Sequence, residues 1–308
     1  MKRFALVMLL IVLVFAGCKK KETPATTTPQ GEQGGTASTA PGSAPTAATG
    51  EMSLVSFSAG ALVVQKPQEY GGNWEAFNLL DENTSTGWAA PKGVMSPQAT
   101  VIELPERSLL KRIEFDTAHA DCDTCGAKDI DVEVSDVAPT SGFQKIASVE
   151  LLDRTDHQQF AVGSEFPGRW VRLTVKNNWG SEEYTELMEF RAYGTQLIHT
   201  PFPDVSGTYD STFGRMHLRQ RGTSISGCYE HDDGLLTGSI EGRVMKLKWT
   251  QSSTRGPATM VFSSDGRNLF GLWWDEGNEL APGSHWDGPK ISSTVGSCPN
   301  WKNVDTAR

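Results

Sequence analysis

The sequence predicts an all-β protein in which a jelly-roll β-sandwich is followed by a smaller antiparallel β-barrel or meander. In residues 52–195, short stretches alternate apolar and polar residues, and clusters of Pro, Gly, Asp and Ser separate them. This pattern has no long helical period, and many short strands at such spacing indicate a sandwich or barrel. In residues 204–300, short apolar segments carry Gly in their middle, as tight curvature in a small barrel requires.

The first 17 residues have the pattern of an export signal. Met1-Lys2-Arg3 is basic, residues 4–15 are apolar, and Ala16-Gly17 stands directly before Cys18. The apolar run is too short to span a bilayer. The Ala-Gly-Cys ending resembles the lipobox of bacterial lipoproteins, with Phe15 where Leu is commoner. This resemblance implies lipidation of Cys18 and a membrane-anchored protein, periplasmic or surface-exposed. Ordinary cleavage with an unmodified Cys18 is the alternative.

Residues 18–51 have the composition of a disordered tether. Three lysines are followed by Ala, Thr, Pro, Gly, Ser and Gln, which bury too little apolar surface to offset chain entropy. The whole chain carries a formal charge of −9; the signal segment holds two positive charges and the tether is balanced, so the folded part carries −11. This charge argues against nucleic acid as a partner.

Four cysteines remain when Cys18 is set aside, and an even number in an exported chain predicts disulfides. The simplest pairing is local, Cys122 with Cys125 and Cys228 with Cys298, because each pair then lies within one domain. A zinc site at Cys122 and Cys125 is the alternative, but a structural zinc site needs four ligands and a second Cys pair is missing there.

A polar loop, Leu79-Leu-Asp-Glu-Asn-Thr-Ser-Thr-Gly-Trp88, lies between apolar segments. Such side chains favour turns held by their own hydrogen bonds, and their oxygens also suit hard cations. The stretch resembles the opening signature of coagulation factor 5/8 type C domains, also called discoidin or galactose-binding-like, with Glu82 where that family has Gly. Arg169-Trp-Val-Arg-Leu-Thr-Val and Glu189-Phe-Arg-Ala-Tyr-Gly194 resemble later motifs of the same family.

The resemblance implies a structural calcium ion that joins the loop to the last strand of the sandwich. Its implied ligands are the side chains of Asp81, Thr86 and Glu189, with main-chain carbonyls near Asn78 and Asn83. A hydrogen-bonded turn that touches Glu189 without a metal is the alternative.

Discoidin-like domains of bacteria often bind sugars, so the resemblance also implies carbohydrate binding. A sugar offers apolar C–H faces and a rim of hydroxyls, and it therefore needs an aromatic surface beside polar side chains. Tryptophans in polar loops supply that composition if the loops converge. We expect the contacts from six residues: Asn73, Trp74, His119, Asn177, Asn178 and Trp179.

The second domain weakly resembles avidin- or lipocalin-like barrel modules. Its tryptophans either line a ligand cup or fill the interior: Trp249, Trp273, Trp274 and Trp286. No hydrolase, metalloprotease, P-loop or dinucleotide motif occurs in the sequence, so we expect a binding protein and not an enzyme. Two alternatives stay open, an adhesion lipoprotein that binds another envelope protein and a hydrolase with its site in the second domain.

Overall fold

A computed structural model gives the structure of the protein and describes residues 51–95, 97–163 and 165–298. The signal segment, Cys18 and nearly all of the tether expected from the sequence lie outside these residues. Within the described part, no helix has the length and apolar character needed to cross a bilayer. The secondary structure there consists of β-strands and two short 3-10 turns.

The first ten strands form the β-sandwich, together with a 3-10 turn at Ala76–Leu79. The strands are Met52–Val55 (β1), Leu62–Gln65 (β2), Trp88–Ala89 (β3), Gln98–Asp116 (β4), Asp129–Ser135 (β5), Gln144–Glu150 (β6), Gln158–Ala161 (β7), Gly168–Val175 (β8), Glu186–Leu187 (β9) and Glu189–Gln196 (β10).

Strand β4 belongs to both layers of the sandwich. Its first part pairs with β2 and β8, and β8 continues through β5 to β6. Its second part pairs with β7 and with β10, which in turn pairs with β1. The register with β8 breaks between Glu103 and Ser108, around Pro105, where the strand passes from one layer to the other. Large apolar side chains from several strands are buried in the core of the sandwich: Trp88, Phe115, Val132, Val171 and Phe190.

The remaining strands form a barrel in which neighbours in sequence are neighbours in space. They are Gly207–Ser211 (β11), Gly214–Arg221 (β12), Ser224–Tyr229 (β13), Gly234–Glu241 (β14), Val244–Thr250 (β15), Arg255–Phe262 (β16), Asn268–Trp273 (β17), Ser284–His285 (β18) and Gly288–Ser292 (β19), with a 3-10 turn at His231–Asp233. Antiparallel pairing runs from β16 back to β11, then through β19 to β17, and β17 pairs with β16 to close the ring.

Glycines inside the barrel strands allow close approach of neighbouring backbones. A Cβ on Gly227 would lie 2.5 Å from the carbonyl oxygen of His217, and one on Gly238 would lie 2.0 Å from that of Lys246. Neither strand therefore tolerates a side chain at these positions without moving. The predicted fold class, an all-β sandwich followed by a smaller antiparallel barrel, is confirmed.

A buried arginine joins the barrel to the sandwich. Arg243, 3 % exposed in the turn between β14 and β15, donates from Nε to the carbonyl of Gly60 and from Nη2 to that of Glu103. Its Nη1 also lies 2.7 Å from Glu103 Oε2. Val261 and Leu272 of the barrel belong to the same buried cluster as the sandwich core. The contacts are main-chain, ionic and apolar at once, so the two β-domains pack as one unit.

Candidate functional site

The structure pairs Cys122 with Cys125 and Cys228 with Cys298, as the sequence predicts. The first pair lies beside Glu186, and the ligand atoms of the three residues are within 4.8 Å of one another. Disulfide sulfurs are not thiolate ligands, so this cluster supports a stiffened loop and not the zinc alternative.

The Asp81 loop is held by its own side chains. Asp81 Oδ1 accepts a hydrogen bond from the amide of Asn83, and Asp81 Oδ2 accepts one from Thr86 Oγ1 at 2.7 Å. Thr86 Oγ1 also lies 2.8 Å from the carbonyl oxygen of Asn83. Asn78 braces the base of the loop by donating to the carbonyls of Asn73 and Gly87. Three of the predicted metal residues, Asp81, Asn83 and Thr86, therefore belong to one network, and Asn78 holds the chain on either side of it.

Glu82 has a positive φ of 64°, the left-handed region that residues with a Cβ rarely adopt. The family that this loop resembles has Gly at that position, and the conformation explains why. The strain falls in the same loop as the predicted metal residues.

Glu189 reaches this loop because β3 and β9 pair. Trp88, directly after the loop, is opposite Leu187, and Glu189 follows at the start of β10. Gly87 permits the approach, since a Cβ there would meet the carbonyl oxygen of Leu187 at 2.6 Å. The tertiary pairing thus brings the last strand of the sandwich against its first loop.

The Glu189 carboxylate is fully buried, and neither oxygen has a hydrogen-bond partner of ordinary geometry among the described residues. Arg191 Nη2 is the nearby cation, at 3.7 Å from Oε2. Burial raises the pKa of Glu189 well above its usual range; Arg191 opposes this shift and the charge of Asp81 adds to it. Burial also raises the pKa of Asp81, from 3.8 to about 6.

The half-buried Asp81 and the fully buried Glu189 repel each other when both carboxylates are ionised. A hard cation between them would remove that repulsion and satisfy the orphaned oxygens of Glu189. The donor set, with carboxylates and main-chain carbonyls, has the chemistry that calcium prefers. The residues present therefore fit the implied metal, and the hydrogen-bonded turn that touches Glu189 is the alternative.

The loops expected to bind a ligand lie next to one another. The loop of residues 177–186 bonds to the loop of residues 117–127 through the amide of Ser181 and the carbonyl of Thr124, and through Ala127 and Glu186. His119 is exposed in the latter loop, and Trp179 is half-buried in the former. Lys128 Nζ lies 4.6 Å from the centre of the Trp179 ring, so it covers part of that ring.

Asn177 and Asn178 have roles inside the protein. Asn177 accepts from the amide of Asp129 and donates to its carboxylate. Asn178 donates to the carbonyls of Ser181 and Tyr184 and accepts from the amide of Gly180. The side-chain amides of Asn177 and Asn178 therefore stabilise the loop. Since they already have hydrogen-bond partners within the protein, we do not assign them to direct contact with a ligand.

Tyr70 is the aromatic residue that the sequence interpretation missed. Its side chain is 56 % exposed, and its ring packs edge-to-face on Tyr184 at 5.7 Å. Lys92 and Glu183 form an ion pair of 2.8 Å beside Tyr184. We call Tyr70, Tyr184, Lys92 and Glu183 the two-tyrosine surface. Asn73, which is exposed, and Trp74, which is half-buried, follow Tyr70 in the same turn. An aromatic residue directly before Gly71-Gly72 was therefore the feature of the sequence from which Tyr70 could have been predicted as a binding residue.

Comparison with known proteins bears on the sandwich. A family model described as Sad1/UNC-like C-terminal matches residues 79–196, less than half of the chain. No protein of curated function matches the sequence.

Solved carbohydrate-binding modules are similar in structure. The family 32 module of Clostridium perfringens NanJ, solved with galactose, is 14 % identical and has a TM-score of 0.38; the match covers 46 % of this chain and 98 % of the module. A further family 32 module of C. perfringens, solved with GalNAc-β-1,3-galactose, is 16 % identical with a TM-score of 0.38, over 46 % and 99 % of the two chains. A putative chitobiase fragment of Bacteroides thetaiotaomicron is 19 % identical with a TM-score of 0.40, over 46 % and 93 %.

The TM-scores of these three matches are 0.40 or lower, so they carry no conclusion about this chain beyond the likeness itself. What those modules bind is a property of those modules. The case for a ligand of this chain therefore depends on its own residues.

Proposed function

We propose that the protein is a cell-envelope lipoprotein whose sandwich binds carbohydrate at the two-tyrosine surface, without catalysis. The observation that carries the proposal is the exposed ring of Tyr70, supported from behind by Tyr184. An exposed aromatic ring can pack on the apolar C–H face of a sugar. The ionic groups of Lys92 and Glu183 lie beside it, about 60 % exposed, and can donate to and accept from sugar hydroxyls.

Calcium has a separate role in the proposal, because none of its implied ligands belongs to the two-tyrosine surface. Asp81, Thr86 and Glu189 would hold the ion with carbonyls near Asn78 and Asn83, and the ion supplies positive charge that neutralises the buried carboxylates. These residues fix the start of β10 against the first loop. Calcium therefore has a structural role in the proposal, because it stabilises the scaffold that carries the binding loops.

The lipid anchor at Cys18 would hold the protein at a bacterial membrane, on the periplasmic side or at the cell surface. The carboxylate pair of a glycosidase would be expected in a cavity of the second domain if the hydrolase alternative held. The cavity walled by tryptophans has one carboxylate, that of Asp275, and a second cavity of the same domain has two, those of Asp210 and Asp287. The two-tyrosine surface, and not the lining of these cavities, is therefore the ground for proposing binding over hydrolysis.

A protein partner is the second candidate, and exposed apolar side chains favour it. Leu280 is 99 % exposed, and Ile198 is 51 % exposed. Isolated exposed leucines are common in soluble proteins, so this signal is weaker than the two-tyrosine surface.

The test is binding of the purified protein to a glycan array, with Tyr70→Ala compared against Phe270→Ala. Phe270 is a partly exposed ring on the barrel and serves as the matched control. Loss of the Tyr70 ring is expected to weaken binding about tenfold, and Phe270→Ala is expected to leave it unchanged. Equal binding by wild type and Tyr70→Ala would exclude this surface.

Trp179→Ala in the same assay decides whether the originally expected loop contributes. A loss comparable to that of Tyr70→Ala would extend the site to Trp179, despite Lys128 above its ring. If the wild-type protein binds no glycan on the array, carbohydrate binding is excluded for those glycans, and binding of a protein partner becomes the better-supported function.

A further inference from the structure

One end of the barrel contains a cavity of about 220 Å³. The β11–β12 turn and the connections that follow β13, β15 and β17 surround it, as alternate connections of an up-and-down barrel share one end. Arg243, in the β14–β15 turn, therefore belongs to the opposite end. Six aromatic side chains line the cavity: Phe213, Tyr229, His231, Trp249, Trp273 and Trp286.

The aromatic walls are fixed by contacts with one another. Trp273 packs edge-to-face on Trp249 at 5.5 Å and on Phe213 at 5.7 Å. Tyr229 and Trp286 meet at 4.7 Å, and both are buried. A cavity with such walls is formed before a ligand arrives, so binding costs little side-chain entropy.

Trp273 has an unsatisfied donor. The indole N–H of Trp249 donates to the carbonyl of Trp274, and that of Trp286 donates to Ser211 Oγ. The Nε1 of Trp273 is shielded from solvent and has no acceptor among the described residues. A buried donor without a partner is unfavourable, and a ligand with an acceptor oxygen would relieve it.

The charged groups at the cavity disfavour an anion, because the carboxylate of Asp275 is part of the lining. His231 is part of it too; its ring packs on Phe213 at 5.7 Å, and it lies 3.9 Å from the carboxylate of Asp232. The aromatic faces and Asp275 also attract cations, but the N–H of Trp273 needs an acceptor oxygen, which an ammonium group does not offer. Gln251 and Thr254, also in the lining, are neutral and hydrogen-bonded to each other. Size is a further constraint, because the cavity is smaller than the roughly 300–1,000 Å³ of drug-sized sites.

We propose that this end of the barrel binds one neutral ring compound, about the size of a single sugar residue, with an apolar face and an acceptor oxygen for Trp273. Pyranose sugars and small aromatic compounds share this chemistry. The site is in the second domain, so it stands independently of the two-tyrosine surface.

The experiment is a titration of the full-length protein, followed by the ¹⁵N–¹H signal of the Trp273 indole and by calorimetry. The probes are N-acetylglucosamine and methyl β-galactoside as pyranoses, p-cresol as a neutral aromatic compound, choline as a cation and benzoate as an anion. We expect a neutral probe to bind and to shift the Trp273 indole N–H signal. Comparing the affinities of the two pyranoses with that of p-cresol then shows whether the site prefers a sugar or an aromatic compound.

Trp273→Phe keeps an aromatic ring and removes the N–H, and we expect about fivefold weaker binding of the preferred neutral probe. Phe270→Ala, on the same strand but outside the cavity lining, is the control and should bind as wild type. Tighter binding of choline or benzoate than of every neutral probe would overturn the proposal. So would an unshifted Trp273 indole signal at saturation, a measurement on the wild type that does not depend on the variant folding.

Discussion

Removal of calcium from the Asp81 loop should lower the stability of the protein markedly at neutral pH. The reason is that Glu189 is fully buried near the half-buried Asp81, whose charge raises its pKa further, and that no side chain among the described residues gives it a hydrogen bond of ordinary geometry. A ligand at a hundred times its Kd stabilises the folded state by about 2.7 kcal/mol. For a folded part of this size that is a Tm difference of about 5–10 °C between calcium and chelator.

The pH dependence has a definite sign. Burial raises the pKa of Asp81 from 3.8 to about 6 in the folded protein, so without calcium the folded state binds the proton more tightly than the unfolded chain. The stabilisation from that proton is complete below pH 3.8 and is lost as pH rises through about 6. At 1.36 kcal/mol for each pH unit, the loss is about 3 kcal/mol. Calcium competes with the proton, so its effect should be largest at pH 7.5 and small at pH 4.5.

Calorimetry in calcium and in chelator, at both pH values, measures these differences. Glu189→Gln keeps the side-chain volume and removes the charge, so it should abolish the calcium response and, in chelator at pH 7.5, melt above wild type. Glu182→Gln, at an exposed position of a neighbouring loop, is the matched control and should respond as wild type. Asp81→Asn isolates the Asp81 titration from that of other carboxyls. An unchanged wild-type Tm in chelator at pH 7.5 would refute the reasoning.

Four further outcomes are expected. Cys18→Ser should move the protein from the membrane fraction to the soluble fraction, and retained membrane association would contradict lipidation. Glu82→Gly should raise the free energy of unfolding by about 1 kcal/mol, because Gly adopts the positive φ without strain; denaturant titration tests it, and a lower value argues against the strain. Arg243→Ala should lower that free energy by about 3–5 kcal/mol, since it leaves a buried carboxylate unpaired; a loss below 1 kcal/mol would exclude this role. The bond between Cys228 and Cys298 spans 70 residues, and replacing both by Ser should cost about 4 kcal/mol, whereas free thiols in non-reducing peptide mapping would disprove the bond.

The alternation of apolar and polar residues was enough to predict the fold class, but not where each strand ends. In the sequence, the alternating residues around Val101 and around Ile113 have the pattern of two separate strands, because Pro105 lies between them. The structure has one long strand, Gln98–Asp116, that bends at Pro105 and passes between layers. Proline removes one hydrogen-bond donor, and that loss is tolerated here because the ladder changes partners at the same place.

The binding loops show where sequence reasoning fails. From sequence, a polar loop residue that contacts a ligand cannot be told from one that hydrogen-bonds to the backbone of its own loop. Asn178 is of the second kind, because its amide donates to the carbonyls of Ser181 and Tyr184. Tyr70 was overlooked because its exposure depends on Tyr184, more than a hundred residues away. Exposure is set by tertiary contacts between loops, and the residue pattern of one loop does not contain it.

Two buried glutamates of the sandwich argue most directly for a cation at the Asp81 loop. Both oxygens of Glu103 face guanidinium groups, with Arg243 at 2.7 Å and Arg169 at 3.5 Å, so the chain neutralises that charge itself. Glu189 is buried more deeply, yet its nearest guanidinium, that of Arg191, lies closer to Glu114 at 3.0 Å than to Glu189 at 3.7 Å. A buried charge is costly unless it is paired or bound to a metal. This chain pairs one such carboxylate fully and leaves the other near a second acid, and that contrast supports the proposed cation at the Asp81 loop.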